Sequence, residues 1–592
     1  MCDTKSVIRD ASQSTEIVRV FWFSLLFALV IGVRNGEANQ AFYLLYGLRL
    51  ADPTFLVGDW YTWQVHHNHT VFSGIVAALD RGGILEAGLA AGALLQSVGL
   101  ALAVYVGVRC AYDRPLPAWA AAVVLLAAVR VPGLEGWGLI YPQFDAFALS
   151  GMLTAVGLAL LLTERTVLAG TAFGLAGLVH AHYAVLLMPV LFGPVVAERR
   201  GRHLGTAIRL WGPILLIASP TLYRTVSFAL VPGAEGWHEV YVARFPFHVY
   251  PRSWPSFRWG LFLGSLSLGA AGLLIRRPRV NRRFTGAAGM VLLLVVGSLL
   301  LGFSAELSLV TKLWPWRLAP FVIVLSLVTF GAALWEPVGS WKVLPKLLAA
   351  VGTVTLATAV MIGPLYYAPY YGLRALVALL AVGLAPSFVR SLRRQTDWKE
   401  PSLALATLVF LSVGLVPSIV EYGARRSHVE IRPQHRSTIG VYEWVKSNTP
   451  TGTLFVVPPT WLEDFRLITR RPIIVDLESM VGHPDDAAEW YRRLQDVTGL
   501  EGPASASSGG EPDVGYAKMD CARAAMLRAK YGAEYVVFRD GQPPLAACAP
   551  TAFRDRRYTI VDIRAVNPRA VEDEEDQAPR TLGSAAPVKP GG

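Results

Sequence analysis

The chain has 592 residues, 53% hydrophobic and only 16% charged, and its mean hydropathy is +0.42, whereas an average soluble domain carries roughly 25% charged residues. This excludes an ordinary soluble protein and identifies a polytopic membrane protein. The formal net charge of +11 is then expected in cytoplasmic loops that orient the spans, and nucleic acid is not an expected partner.

Apolar stretches long enough to span, or nearly so, fall at residues 18–33, 86–108, 116–130, 144–163, 167–180, 182–197, 207–223, 258–275, 284–303, 318–335, 343–363, 371–390 and 402–420. They give about thirteen spans. The first is followed directly by Arg34-Asn35-Gly36-Glu37, without a small-residue cleavage pattern, and reads as a retained span. An N-terminus placed inside puts Arg109, Arg114, Arg199, Arg200, Arg202, the run Arg276 to Arg283, Lys342, Lys346 and the run Arg390 to Lys399 in the cytoplasm. An odd number of spans then sends the chain beyond about residue 421 to the outer face.

The expected organisation is a transmembrane domain over 1–420 with a long first outer loop, 34–85, and an extracytoplasmic domain over 421–566. In the second, Thr453 to Val457, Pro472 to Asp476 and Glu534 to Phe538 read as strands, and Asp485 to Asp496 and Cys521 to Tyr531 as helices. Alternating strand and helix indicates a small α/β domain. Residues 567–592 are acidic or proline-rich and read as a disordered tail. Cys521 and Cys548 fall outside and either form a disulfide or remain two thiols in a small core.

The drawn topology collects nearly all chemically useful polar groups at the outer face. The first outer loop has Glu37, Asp59, His66, His67 and His69. Each acid alone reads as a helix cap, but two acids and three histidines in one outer loop favour a site. Asp145 starts a span, as a helix N-terminal charge or a site residue. His180 and His182 share a tight turn between two short spans. Lys312 and Arg317, around Trp314 and Trp316, form either an interfacial anchor or a phosphate clamp. The segment from Arg224 to Arg258, with His238 and Glu239, is either a site cover or an amphipathic surface stretch.

This layout resembles the GT-C superfamily of polyprenyl-phosphate-sugar-dependent integral-membrane glycosyltransferases, with Glu37 and Asp59 in the position of that superfamily's loop-one acids. Arg470 to Asp476, followed by Glu489-Trp490-Tyr491, is similar to bacterial GT-C-like membrane proteins. The resemblance implies sugar transfer from a polyprenyl-phosphate donor to an acceptor hydroxyl of an envelope glycan, glycolipid or protein, at the outer face of the plasma membrane. Chemistry adds roles to the residues. Glu37 or Asp59 is the expected general base, and a one-step displacement inverts the anomeric centre. Lys312, Arg317 and Arg224 are the expected phosphate cations, with His66, His67, Asp145, His180, His182 and His238 lining the pocket. A divalent metal, Mn or Mg, would sit on Glu37, Asp59 and His180. The rival readings are a metal-independent ligase of lipid-linked glycans, which His180, His182 and Arg317 favour, and a lipid or solute transporter.

Overall fold

The computed structural model describes residues 12–37, 39–67, 69–112, 134, 138–139, 141–198, 201–230, 240, 244, 251–304, 314–333, 336, 340–362, 427–479, 483–500, 511–539 and 544–566. The expected spans at 116–130, 371–390 and 402–420 and the tail at 567–592 lie outside these residues. The chain divides into two compact units, and the division differs from the sequence expectation. The first unit ends at Arg432 and includes Val481–Ala487, while Thr54–Val65, cut from the first outer loop, belongs to the second with Pro433–Met480 and the chain from Ala488 onward.

The first unit is a helical bundle. Its helices are α1 (Ser12–Ile31), α2 (Gln40–Ala51), α3 (Thr70–Arg81), α4 (Leu85–Tyr112), α5 (Ala146–Leu162), α6 (Thr166–Val179), α7 (Ala181–Val190), α8 (Phe192–Val196), α9 (His203–Leu230), α10 (Ser256–Ile275), α11 (Arg282–Ser304), α12 (Ala319–Ala333) and α13 (Val343–Ile362). Among the described residues, four stretches, Leu85–Tyr112, Ser256–Ile275, Arg282–Gly302 and Pro315–Ala333, are long and apolar enough to cross a membrane, and α5, α6 and α13 are shorter apolar helices. Helix α4 packs on α1 and α5, α6 on α5 and α9, and α10 on α12 and α13.

Small residues permit the close crossings, as expected where lipid removes the hydrophobic drive between helices. Gly193 of α8 and Gly286 of α11 meet backbone to backbone. A Cβ on either would stand 2.0 or 2.2 Å from the other's carbonyl oxygen.

The two ends of α6 differ in chemistry. Its first residue, Thr166, accepts a hydrogen bond from Arg283 Nη1 at 2.8 Å, and Arg283 also pairs with Glu198 at 2.6 Å. Asn281 donates to the carbonyls of Leu161 and Leu162 where α5 ends. At the other end, about 20 Å away at 1.5 Å per residue, lie His180 and the aromatic residues described below.

The second unit holds a four-stranded sheet in the order β1-β2-β4-β3, from β1 (Phe455–Val456), β2 (Tyr535–Arg539), β3 (Thr551–Arg554) and β4 (Tyr558–Asp562). β1 runs parallel to β2, and β4 is antiparallel to both β2 and β3. Helices α14 (Ile439–Asn448), α15 (Phe465–Thr469), α16 (Pro484–Thr498), α17 (Glu511–Ala517) and α18 (Cys521–Tyr531) complete the chain, α16 beginning on residues of the first unit. Residues 472–476 make one bridge, Ile473 to Phe455, and no strand. The Ile473 amide, on the edge facing away from Phe455, donates to Asp59 Oδ2 at 3.2 Å. A disulfide joins Cys521, at the start of α18, to Cys548.

Candidate functional site

In the first unit the loop after α1 is held by its own polar backbone. Gly36, at φ +85°, donates its amide to Gln40 Oε1 at 2.7 Å, and Gln40 Nε2 donates to the Phe144 carbonyl at 2.8 Å. The Arg34 amide donates to the Pro142 carbonyl at 2.8 Å, so residues 34–40 are tied to 142–144. Asp145, next in the chain, is fully buried and caps α5 by accepting the Ala148 amide at 2.7 Å. It is a cap, the first of the two roles its position allowed.

Glu37 stands on the same loop with 28% of its side chain exposed. His428 Nε2 lies 3.1 Å from Glu37 Oε1, and Arg34 Nη1 lies 3.7 Å from Oε2. Burial alone would raise the Glu37 carboxyl, but the hydrogen bond to His428 and the charges of Arg34, His428 and Arg432 outweigh it and lower the pKa. Glu37 is therefore an anion at neutral pH. His428 is brought there by a parallel bridge between Arg34 and His428, in which the His428 amide donates to the Val33 carbonyl at 2.7 Å.

A cluster of imidazoles collects where α3, α6, α7 and α12 end. The rings of His69 and His180 are 4.5 Å apart, and those of His180 and His182 are 5.6 Å apart. His182 stacks on Trp314 at 5.1 Å. Arg317 lies over the Trp314 ring at 4.1 Å and over Phe147 at 5.7 Å, with Nη1 3.4 Å from His182 Nδ1. Trp314 adopts φ +46°, a left-handed conformation costly for a bulky residue and characteristic of functional sites. His180 is 1% exposed, and neither ring nitrogen has a hydrogen-bond partner among the described residues. A buried imidazole left in this way costs about 1–3 kcal/mol, which a bound acceptor would recover. His69 is held down to about pKa 4, first by burial and then by the charge of Arg317, with His67 adding to it.

An apolar groove in the first unit is lined by Leu100, Val104, Leu158, Phe321, Val324 and Val328 among others. The Phe321 ring meets Tyr183 at 6.4 Å, and Tyr183 meets His180 at 5.6 Å. The groove reaches Pro278 and Phe284, near the opposite end of the helices.

Other expected site residues lie elsewhere. Asp59 belongs to the second unit, is fully buried, and accepts hydrogen bonds from the Thr62 amide, Arg466 Nε and the Ile473 amide. With its oxygens committed and closed to solvent, it cannot serve as the general base. Asp59 is paired with Arg466 within the second unit, and Glu37 pairs with His428 and Arg34 within the first. His67 stacks on Tyr46 at 4.2 Å, and His66 lies 2.8 Å from Asp486. Arg224 is exposed on α9, and Lys312 and His238 lie outside the described residues.

Sequence reading missed His428, whose importance comes from its pairing across the chain with Glu37, and Phe147, which two residues after Asp145 gave no polar signal. It also missed the Arg466 and Asp476 pair in the tail, 2.6 Å apart.

Among the described residues, a bundle of apolar helices with polar residues gathered at one end, and a small α/β unit following in sequence, give a helical membrane-protein fold with a C-terminal α/β unit. This is the fold expected from the sequence. The crystal structure of ArnT from Cupriavidus metallidurans bound to undecaprenyl phosphate has the same fold, with 15% identity, a TM-score of 0.51, and coverage of 94% of this chain and 99% of that one. The apo structure of that ArnT aligns at a TM-score of 0.47 with 16% identity over 94% of this chain and 99% of its own. A family described as a domain of unknown function, DUF6798, matches residues 436–497. No curated protein matches the chain.

Proposed function

We propose that this chain is a multi-pass glycosyltransferase of the plasma membrane that takes a sugar from a polyprenyl-phosphate donor. The observation that carries this reading is the apolar groove whose lining residue Phe321 contacts the aromatic shell of a histidine and arginine cluster. An amphiphile with a long apolar tail and an anionic head has the chemistry such a site selects. The first structural neighbour was crystallised with undecaprenyl phosphate, a ligand of this type. The fold alone would not give the activity.

In this reading the tail occupies the groove and the phosphate meets Arg317, His182 and His180. An acceptor hydroxyl attacks the anomeric carbon as the carbon to phosphate-oxygen bond breaks. The charge that builds on the leaving phosphate is taken by Arg317 and by imidazole N–H donors. The hydroxyl proton passes to Glu37, the loop-one acid that remains open to solvent and ionised. Displacement in one step inverts the anomeric centre. The cluster faces the outer side, with the N-terminus inside and the second unit extracytoplasmic, because the basic loops then lie in the cytoplasm. The acceptor is a hydroxyl of an envelope glycan, glycolipid or protein.

The metal-independent ligase is the second reading, because Arg317 and three imidazoles, His69, His180 and His182, gather against Trp314 and Phe147. Polyprenyl-monophosphate sugars and polyprenyl-diphosphate glycans, offered to the purified protein with and without Mn or Mg, separate the two. Turnover of the monophosphate donor that falls in both Arg317→Ala and Glu37→Gln supports the transferase. Turnover untouched by both substitutions overturns the site.

A further inference from the structure

We infer that His66, His483 and Asp486 form a binding site for a zinc-like divalent cation, distinct from the donor site. One ligand atom from each of the three lies within 4.8 Å of the others. His66 Nδ1 is 2.8 Å from Asp486 Oδ2, and the His66 and His483 rings are stacked with centroids 4.2 Å apart. All three belong to the first unit. None of them is among the acids and His180 that the sequence offered as metal ligands.

The donor set specifies the ion. Two imidazoles and one carboxylate form a mixed nitrogen and oxygen set that suits Zn and the late first-row divalent ions, whereas Mg and Ca prefer all-oxygen cages. Three protein ligands leave the fourth tetrahedral position for water. Asp486 and His483 are buried, while the His66 side chain is 50% exposed, so the ion can enter from the solvent side. At metal-ligand distances of about 2.0–2.2 Å, two donors in tetrahedral positions stand about 3.4 Å apart. The remaining ångström or so is closed by rotation of the exposed His66 ring. The His66 amide also donates to Asp486 Oδ2 at 2.9 Å, which fixes the carboxylate in place before the ion arrives.

Occupancy has a consequence for the neighbouring cluster. His66 is three residues before His69, whose ring lies 4.5 Å from His180. An ion held by His66 pins one end of the segment that delivers His69, so metal would tune donor binding from outside the donor site. This consequence rests on the transferase reading, but the binding itself does not.

The test uses the full chain in detergent, stripped with a chelator and titrated with Zn against a chromophoric competitor, then with Co for its visible ligand-field spectrum. One equivalent should bind. His483→Ala and Asp486→Asn should each weaken binding by at least the ~10–100-fold that losing even an outer-shell partner costs. His483→Cys should keep the site and add a thiolate-to-Co charge-transfer band, and this result decides the matter if the alanine variant fails to fold. His180→Ala should leave the Co spectrum unchanged. Absence of stoichiometric binding, binding indifferent to both the alanine and asparagine variants, or a Cys variant without the new band overturns the site. A protein that binds one Zn but transfers no sugar would sink the transferase reading alone.

Discussion

Arg466 and Asp59 form an ion pair, Nε to Oδ2 2.8 Å, with only 2% and 0% of their side chains exposed. Arg466 Nη1 reaches Asp476 at 2.6 Å and Nη2 donates to Ser479 at 2.9 Å, so one buried cation organises residues drawn from two distant stretches of sequence. Removing one partner of such a pair leaves an uncompensated buried charge and costs about 3–5 kcal/mol. Asp59→Asn should therefore lower the thermal midpoint of the chain markedly while turnover per folded molecule persists. A variant of normal stability that has lost turnover would return Asp59 to the chemistry.

Arg317 should behave as a stacked planar cation. Arg317→Ala is expected to reduce turnover on the order of 10²–10³-fold, the scale of losing a charge-stabilising donor. Arg317→Lys should recover only part of it, because ammonium cannot stack on Trp314 or offer a forked pair of donors. Steady-state kinetics with a polyprenyl-phosphate sugar read the difference, and full activity in the alanine variant contradicts the assignment.

His180 separates function from stability in the opposite way to Asp59. Its two ring nitrogens are buried without partners among the described residues, so His180→Phe relieves an unmet polar burial and should hold stability or raise it by up to ~1–3 kcal/mol. Donor affinity should fall in the same variant. A destabilised variant that still binds donor normally would show His180 to be a packing residue.

His69 makes a prediction in pH. Its pKa falls from 6.5 to about 4 in the folded chain, so between those values the unfolded state holds the proton and the folded state does not. The stability contributed by neutral His69 is complete above pH 6.5 and drains away as pH falls toward 4, amounting to at most about 3 kcal/mol. Chemical unfolding of His69→Gln should show a flatter pH dependence over that window than the parent. An unchanged slope would mean that the ring protonates freely.

Reduction of the Cys521 and Cys548 bond, with a sequence separation of 27, should destabilise the second unit by about 3–4 kcal/mol in the chain-entropy estimate. Thermal scans of the full chain with and without reductant measure it, and coincident scans would contradict it.

Among the described residues the apolar helices were legible because the apolar run is a local signal, as were the helix caps at Asp59 and Asp145. The gathering of His180, His182 and Arg317 was legible as a shared membrane face, since the charge of the connecting loops orients each span. What stayed hidden are pairings with no local mark. Asp59 looked like a catalytic acid because its neutralising partner, Arg466, is 407 residues away. Residues 472–476 have the composition of a strand, but they make only the single bridge of Ile473 to Phe455. The Thr551 to Asp562 hairpin was missed because its outer strand is largely exposed and carries no apolar alternation.

The contact of Glu37 with His428 spans 391 residues. A chain made from its N-terminus exposes Glu37 early, yet the imidazole that lowers its pKa is synthesised only after nearly the whole helical unit has left the ribosome. A truncated product would carry the loop-one acid, both turn histidines and Arg317, and still lack the imidazole that hydrogen-bonds Glu37. That contact thus marks completion of the helical unit.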